Sequence, residues 1–352
     1  MGMKKIFFIN YFASLVQKIQ SNTSFKIIQT ADSDSTKFIN ACEIAKHRLK
    51  TDDIDALVVR TNCSVNHEML DLFPKARVVL RAGHGFDNID VAECCKRSIY
   101  VFTTTGVFTD ATADLTLGLM LDAARHISQA TVSMHERNWR RSNFTGLELR
   151  GAKVGIIGLG SVGSAVAERL LPFGCKILVY DPYKNPNSQH QSELSEYEYQ
   201  LYKKFPDITK IKKNVEFLTF SELLQTSDII TLHAPLTIET LQMIDTKELI
   251  MMKNSAILIN SARGKLINEL ALFDALRNNE ISAAAVDTFS DEPPTNSKLL
   301  ELENLIATPH LGSRTHASLE RAVTASEKLL IDALINDNFT RALNFSYIHN
   351  RF

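Results

Sequence analysis

The chain has 352 residues, a length that suits two domains better than one. Hydrophobic residues make up 45% of it and charged residues 22%, as expected of a soluble globular protein with a buried core. The formal net charge of −1 gives no bias toward polyanions, so the composition argues against partners such as nucleic acid or a lipid surface.

The N-terminal segment MGMKKIFFINYF carries two lysines before a short apolar run, and no small-residue cleavage site follows it. This pattern favours a first buried strand over a signal peptide. No apolar stretch is long enough to span a bilayer. The five cysteines are irregularly spaced and match no zinc-binding pattern. They predict reduced thiols, no metal site and a cytoplasmic protein.

The first hundred residues alternate short apolar runs with helical patterns. The predicted strands are KIFFIN, FKIIQT, ALVVR, RVVLRAG and IYVFT, and the predicted helices include SDSTKFINACEIAKHRL and NIDVAECCKR. Alternation of this kind indicates parallel strands joined by crossovers, and hence a small α/β unit. The segment DATADLTLGLMLDAARHISQATVSMHERNW then predicts one long helix that links two domains or packs on a second subunit.

A second α/β unit begins at Lys153. Its predicted strands are KVGIIG, KILVYD, DIITLH, AILIN, AAAVD and LIATP, with helical patterns between them and after the last one. Residues 184–214 interrupt this pattern, because they are polar and too many for an ordinary connection. They predict an inserted surface element, for which a binding role and a solvated excursion are both open.

A glycine-rich turn, GLGSVG at Gly158–Gly163, joins the first of these strands to a helix. In such a turn Gly158 permits the tight bend, Gly160 lets the backbone approach a pyrophosphate and Gly163 lets the helix lie close to the sheet. The helix N-terminus then faces the phosphates. A strand–helix turn without a ligand has similar glycines, but the strand before and the helix after favour dinucleotide binding.

Asp181 ends the next strand, where this fingerprint places an acid on the ribose hydroxyls. A carboxylate there repels the extra phosphate of NADP, so NAD is the predicted cofactor, although Lys184 is close by in the sequence. An Asp before Pro182 also suits a turn, and the two roles are compatible.

Unusual polar residues follow three later strands. AILIN leads to Arg263, AAAVD to Asp287 and Glu292, and LIATP to His310. Because ligands of open α/β sheets bind outside the carboxyl ends of the strands, we expect these side chains to converge near the nicotinamide. Each alone has an ordinary structural interpretation, as a surface charge, a turn residue or a helix cap. Their joint placement at strand ends, after the glycine turn, favours a catalytic role over these structural interpretations.

The chemistry suits the interconversion of 2-keto and 2-hydroxy acids. Arg263 can hold a carboxylate or carbonyl at two points. His310 can donate a proton to the carbonyl oxygen and take it back in the reverse direction. Glu292 would hold the ring of His310 and favour its charged form. Asp287 could accept a hydrogen bond from the cofactor carboxamide.

The chain resembles the D-isomer-specific 2-hydroxyacid dehydrogenase family over nearly its whole length. The segments that carry the resemblance are RAGHGFDNIDVA, TDATADLTLGLML, VGIIGLGSVG, SDIITLHAPLTIET, NSARGKLI, VDTFSDEPP and ATPHLGS. The resemblance implies a catalytic set of Arg263, Glu292 and His310. Implied cofactor contacts are Gly158, Gly160, Ser161, Val162, Gly163, Asp181, Ala234, Ala262, Asp287, His310 and Gly312. Implied substrate contacts are Arg60, Gly83, His84, Gly85 and Arg263.

The resemblance also implies a Rossmann cofactor domain, residues 107–315, inserted into a smaller flavodoxin-like α/β substrate domain made of residues 1–106 and 316–352. Members are similar in forming homodimers through the cofactor domains, and residues 111–149 suit that contact. His84 stands where the family more often has a small residue, Asn268 where an Asp is common, and the insertion after Asp181 is longer than usual.

The expected reaction is hydride transfer between NAD(H) and a small acid such as glyoxylate or hydroxypyruvate, because TDATADLTLGLML is most similar to the reductases of those acids. Oxidation of 3-phosphoglycerate is an alternative within the same class. A second alternative is an NAD-sensing binding protein like the corepressors that share this fold. No nucleic-acid or membrane partner is expected.

Overall fold

The computed structural model describes residues 3–9, 13–29, 53–60, 63–83, 85–184 and 214–349. The described residues up to Phe108 and from Thr315 onward form one compact unit, and those from Thr109 to Arg314 form another. The helix predicted at residues 33–49 and nearly all of the predicted insertion at 184–214 lie outside the described residues.

The first unit is built on a parallel sheet in the order β2-β1-β3-β4-β5, which is the flavodoxin-like order. All five strands predicted from the sequence are confirmed. The strands are β1 (Lys4–Phe8), β2 (Phe25–Gln29), β3 (Ala56–Val59), β4 (Val78–Arg81) and β5 (Tyr100–Thr103). The helices are α1 (Ala13–Gln20), α2 (His67–Asp71), α3 (Val91–Lys96), α10 (His316–Leu334) and α11 (Phe345–His349).

The second unit is built on a parallel sheet in the order β12-β11-β10-β9-β6-β7-β8, a Rossmann order with one further strand. Its strands are β6 (Lys153–Ile157), β7 (Lys176–Tyr180), β8 (Val215–Phe217), β9 (Ile229–Leu232), β10 (Ile257–Asn260), β11 (Ala283–Val286) and β12 (Leu305–Ala307). Its helices are α4 (Thr109–Arg125), α5 (Ile127–His135), α6 (Ser161–Leu170), α7 (Phe220–Thr226), α8 (Thr246–Met251) and α9 (Glu269–Arg277). None of the described helices combines the length and apolarity needed to cross a membrane.

The strands of both sheets are continuous apolar runs because helices cover both faces. In β10, Ile257 and Ile259 belong to the hydrophobic cluster on one face, and Leu258 belongs to the cluster on the other. In β3, Leu57 and Ala56 divide between two clusters in the same way. Because both faces of each sheet are buried, its strands are continuous apolar runs, and such runs could be recognised in the sequence.

The strand β8 was not predicted. It has only three residues, it lies at the edge of its sheet, and none of its residues is fully buried. A short edge strand of this kind carries too few apolar positions to stand out from a loop.

The single long helix predicted across residues 110–139 is wrong, because the chain forms two helices there. α4 ends at Arg125 and α5 begins at Ile127, and His126 between them has a left-handed backbone with φ of 55°. The Asp122 carboxylate accepts hydrogen bonds from the backbone N–H and the hydroxyl of Ser128. The Ser128 N–H lies in the first turn of α5, where it has no carbonyl partner within the helix, and Asp122 supplies one.

In the second sheet the strand order reverses between β6 and β9, which lie side by side. The connection after β6 leads toward β7, and the connection after β9 leads toward β10. A crevice therefore opens at the carboxyl ends of β6 and β9, and this is where open α/β sheets bind ligands.

The C-terminal segment closes the edge of the first sheet at β5. The amide oxygen of Asn344 accepts the Val101 N–H at 2.9 Å, and its amide nitrogen donates to the Ile99 carbonyl at 2.9 Å. The Leu343 N–H donates to the Val101 carbonyl at 2.7 Å. These bonds satisfy an edge strand that would otherwise expose unpaired backbone groups.

We expect Asn344→Ala to lower the free energy of unfolding by about 2–4 kcal/mol, because two buried backbone groups lose their partner at once. Asn336→Ala serves as the matched control, since Asn336 is exposed and its replacement is expected to change stability by less than about 0.5 kcal/mol. Denaturant unfolding of the two variants measures the difference. Equal stabilities would show that Asn344 does not hold the edge of β5.

Candidate active site

The three glycines of the turn after β6 have different surroundings. Gly158 has φ of +91°, and a Cβ there would lie 2.8 Å from the backbone nitrogen of Ala234 after β9. A Cβ at Gly163 would collide with the carbonyl oxygen of Gly158. A Cβ at Gly160 would meet no atom of the described residues within 4 Å. Folding therefore requires the first and third glycines, whereas the open space over Gly160 fits a ligand that approaches the backbone closely.

The helix α6 begins directly at this open space. Its first residue, Ser161, is buried, Val162 is partly buried, and Gly160 is the N-cap without a side chain to bond the first N–H groups. A helix N-terminus with such N–H groups favours phosphate oxygens. The residues present therefore fit the pyrophosphate of a dinucleotide.

Asp181, which follows β7, is buried and bonds to the glycine turn that follows β6. Its carboxylate accepts the Leu159 N–H at 2.8 Å, and the Tyr183 and Lys184 N–H groups at 3.0 Å each. The turn-forming role foreseen for Asp181 is thus present. Its contact with a ribose hydroxyl stays a prediction.

His233 follows β9 and lies against the glycine turn. A Cβ at Gly158 would touch its backbone, and a Cβ at Gly163 would lie 3.4 Å from its side chain. Burial lowers the pKa of His233 to about 3, and its Nε2 is 2.9 Å from the Thr231 hydroxyl. The ring is therefore neutral at pH 7. It packs against the glycine turn and is hydrogen-bonded to Thr231.

The loop after β10 carries Arg263 and packs on the loop after β11. A Cβ at Gly264 would collide with the backbone of Phe289, so only glycine permits this contact. Asn260 is buried, and its side chain shapes the turn. Its amide donates to the Arg263 carbonyl at 2.8 Å and its oxygen accepts the Ala262 N–H at 3.0 Å.

His310 and Glu292 are hydrogen-bonded to each other beyond the carboxyl ends of β11 and β12. Nδ1 of His310 lies 2.8 Å from one carboxylate oxygen of Glu292 and 3.1 Å from the other. Burial opposes ionisation of Glu292, but the hydrogen bond and charge of His310, with the Phe289 N–H and the charge of Arg263, hold its pKa below the usual value. The carboxylate can only accept, so Nδ1 carries a proton, and Nε2 is the ring nitrogen that can exchange one with a substrate.

The backbone of His310 is held in an unusual conformation, with φ of 54°. Asp287 fixes the residues around it: its fully buried carboxylate accepts the Thr308 hydroxyl at 2.6 Å, the Leu311 N–H at 2.7 Å and the Gly312 N–H at 2.9 Å. Burial raises the pKa of Asp287, although these hydrogen bonds oppose the shift. Its expected contact with the cofactor carboxamide stays a prediction.

The predicted substrate-binding residues Arg60, Gly83 and Gly85 lie in the first unit, after β3 and β4, and His84 lies outside the described residues. Asn88 ties these loops together. Its amide donates to the Arg60 carbonyl at 3.0 Å, and its oxygen accepts from Nε of Arg81 at 3.1 Å. Within the described part of the chain, no group of three or more His, Cys, Asp or Glu residues could hold a metal ion.

Comparison with known proteins decides the family. Residues 117–207 and 196–312 match the D-isomer-specific 2-hydroxyacid dehydrogenase, NAD-binding domain. A glyoxylate reductase of Thermococcus litoralis is 38% identical over 289 residues, which are 80% of this chain and 81% of that protein. The chain belongs to the D-isomer-specific 2-hydroxyacid dehydrogenase family. It is therefore an NAD-linked oxidoreductase that acts on the CH–OH group of 2-hydroxy acids.

Two further relatives bear on this dehydrogenase. A D-3-phosphoglycerate dehydrogenase of Methanocaldococcus jannaschii is 40% identical over 276 residues, which are 78% of this chain and 49% of that protein. The chain thus spans about half the length of that relative. The structure of a D-lactate dehydrogenase from Aquifex aeolicus, complexed with NAD and lactic acid, matches with a TM-score of 0.80 and 26% identity, over 96% of this chain and 97% of that one.

Sequence reasoning missed the polar side chains that shape the site of this dehydrogenase. Asn260 and Thr231 stand inside otherwise apolar strands, a signal that could have identified them. Glu269 gave no comparable signal. It lies at the start of α9, where its carboxylate accepts the Ser290 N–H at 2.6 Å and so holds the loop that carries Glu292.

We expect Gly160→Ala to fold with an unchanged melting temperature and to bind NADH at least about 10-fold more weakly, because the methyl group would enter the space over the turn and not the protein. Gly163→Ala is the matched variant, for which the collision with Gly158 predicts loss of stability. Thermal unfolding and NADH fluorescence titration measure the two effects. Wild-type NADH affinity in a folded Gly160→Ala variant would contradict the assignment.

Proposed function

We propose that this dehydrogenase reduces a short 2-keto acid, glyoxylate or hydroxypyruvate, with NADH. The observation that carries the proposal is the hydrogen-bonded pair of His310 and Glu292, which lies close enough to Arg263 for its charge to act on Glu292, beyond the carboxyl ends of β10, β11 and β12. Residues 107–315 form the cofactor domain in this proposal, and the remainder forms the substrate domain. Division of the described residues near Phe108 and Thr315 supports these boundaries.

Bound NADH supplies the hydride for the carbonyl carbon of the keto acid. Arg263 binds the carboxylate or carbonyl oxygen of the substrate through its planar guanidinium. His310 donates the Nε2 proton to the carbonyl oxygen as negative charge develops there, and takes it back when a hydroxy acid is oxidised. Glu292 stabilises the charged imidazole and fixes which nitrogen faces the substrate.

The remaining contacts are carried over from the family. The proposal assigns the dinucleotide to the glycine turn with Ser161 and Val162, and to Asp181, Ala234, Ala262, Asp287, His310 and Gly312. It assigns substrate contacts to Arg60, Gly83, His84 and Gly85 as well as Arg263. The open space over Gly160 and the helix N-terminus beside it support the cofactor assignment.

The similarity to the Thermococcus litoralis glyoxylate reductase over most of both chains supports a short keto acid. Oxidation of 3-phosphoglycerate is the second candidate, favoured by the 40% identity to the Methanocaldococcus jannaschii enzyme. Both candidates use the same chemistry at His310 and differ in the group attached to the reacting carbon.

We expect the enzyme to oxidise NADH with glyoxylate or hydroxypyruvate, and His310→Ala to lower kcat by roughly 100- to 10,000-fold, because the proton donor is gone. His349→Ala is the matched control, since His349 is an exposed histidine on α11 and belongs to the first unit, whereas His310 belongs to the second. Steady-state assays with both acids, and with 3-phosphoglycerate and NAD, separate the candidates. Unchanged turnover in His310→Ala would remove it as the proton donor. Tight NADH binding without turnover of any acid would favour the NAD-sensing alternative.

We also propose that the enzyme is a cytoplasmic homodimer joined through its cofactor domains. α5 has no buried residue, yet it exposes Ile127, Val132 and Met134 by 52–57%, and Trp139 just beyond it is 74% exposed. Apolar side chains grouped in this way indicate a protein contact. The described cysteines are free thiols, which suits a reducing compartment.

We expect the wild-type enzyme to have the mass of a dimer by light scattering, and the double variant Val132→Glu, Met134→Glu to have the mass of a monomer at micromolar concentration, because buried charges oppose association. The matched control is Ile250→Glu with Leu270→Glu, which charges two other exposed apolar side chains, on α8 and α9. A monomeric wild-type enzyme, or a dimeric α5 variant, would refute the proposed interface.

A further inference from the structure

The helix α4 bonds through two threonine hydroxyls to two of the three loops that carry the proposed catalytic side chains, those of Arg263 and His310. The Thr112 hydroxyl donates to the Gly312 carbonyl at 3.1 Å, and Gly312 follows His310 by two residues. The Thr116 hydroxyl lies 2.7 Å from that of Ser261, and Ser261 precedes Arg263 by two residues. Thr112 and Thr116 are one helical turn apart, so one rigid element contacts both loops.

The direction of these bonds follows from the number of protons. The Thr116 hydroxyl donates its only proton to the Thr112 carbonyl at 2.8 Å, so the Ser261 hydroxyl must be the donor toward Thr116. Thr116 and Ser261 are buried, which keeps water from replacing either partner. The bonds therefore form one continuous chain from the Arg263 loop to the helix.

The His310 loop is held on its opposite side by Asp287, which accepts the N–H groups of Leu311 and Gly312. A Cβ at Gly312 would lie 3.3 Å from both the Asp287 carboxylate and the Thr112 hydroxyl, so the loop fits tightly between them. Thr112 thus fixes the carbonyl side of Gly312 while Asp287 fixes its N–H side.

We propose that Thr112 and Thr116 are positioning residues that set the spacing between His310 and Arg263. The inference rests on the proposed function, in which Arg263 holds the keto acid and His310 protonates it. His310 and Arg263 act on the same small substrate, one as proton donor and the other by binding its carboxylate or carbonyl. A change in the distance between them therefore misplaces the carbonyl oxygen relative to the imidazole. Misplacement by about 1 Å can cost roughly 100-fold in rate.

Valine replacement removes each hydroxyl and keeps the shape of the side chain, whereas serine replacement keeps the hydroxyl. We expect Thr112→Val to lower kcat about 10- to 100-fold with the KM for NADH within twofold of wild type, because it acts through His310. We expect Thr116→Val to raise the KM for glyoxylate about 10-fold, because it acts through Arg263. Both serine variants are expected to stay within about threefold of the wild-type constants, since the hydrogen bonds are retained.

Thr109→Val is the matched control on the same helix. The Thr109 hydroxyl is buried and bonds to no partner among the described residues, so its loss is expected to leave kcat and both KM values unchanged. Melting temperatures are measured for every variant. Should a valine variant fail to fold, the alanine variant at the same position, compared with the serine variant, takes its place.

A double-mutant cycle separates positioning from a general structural effect. If Thr112 acts through His310, Thr112→Val causes no further loss of turnover in the His310→Ala background. Wild-type constants in both valine variants, equal losses in the valine and serine variants, or an equal loss in Thr109→Val would overturn the inference. His310→Ala with wild-type turnover would instead refute the proposed function, whatever the threonine variants do.

Discussion

The carboxylate of Asp287 is the group on which the geometry of the site depends. It is fully buried, and it accepts one hydroxyl and two backbone N–H groups from three residues close to His310: Thr308, Leu311 and Gly312. Its own N–H donates to the Asn260 carbonyl at 2.9 Å, which ties it to the neighbouring strand. Through this one residue, the segment around the left-handed backbone of His310 is bonded to the end of β10.

A carboxylate without solvent is costly unless its oxygens are satisfied, and here the hydrogen bonds offset the cost only in part, because burial still raises the pKa of Asp287. Glu292 has the reverse balance. Its side chain is 30% exposed, and the charges of His310 and Arg263 hold its pKa below the usual value. The two acids of the site thus differ by environment: one shapes the loop, and the other stays ionised beside the ring.

Sequence patterns predicted what depends on long apolar runs and on strand ends. The eleven strands named in advance form because both faces of each sheet are buried, and the strand-end residues Arg263, Glu292 and His310 meet because the strands are parallel. What the patterns missed depends on single contacts. The break at His126 is accompanied by the Ser128 N–H donating to Asp122, and Asn260 shapes its turn through two hydrogen bonds. A single hydrogen bond of this kind does not change the spacing of apolar residues along the chain. The spacing from which helices and strands were predicted therefore gave no sign of it.

The glycine turn shows how folding and function separate within one motif. Gly158 and Gly163 are required by the protein itself, since a side chain at either would collide with its own backbone. A turn with only these two glycines would say nothing about a ligand. Gly160 lies in space that no other described residue enters, so no contact within that part of the protein explains the lack of a side chain there. The explanation we propose is a molecule that approaches the backbone of the turn, and in that proposal Gly160 carries the functional content of the motif.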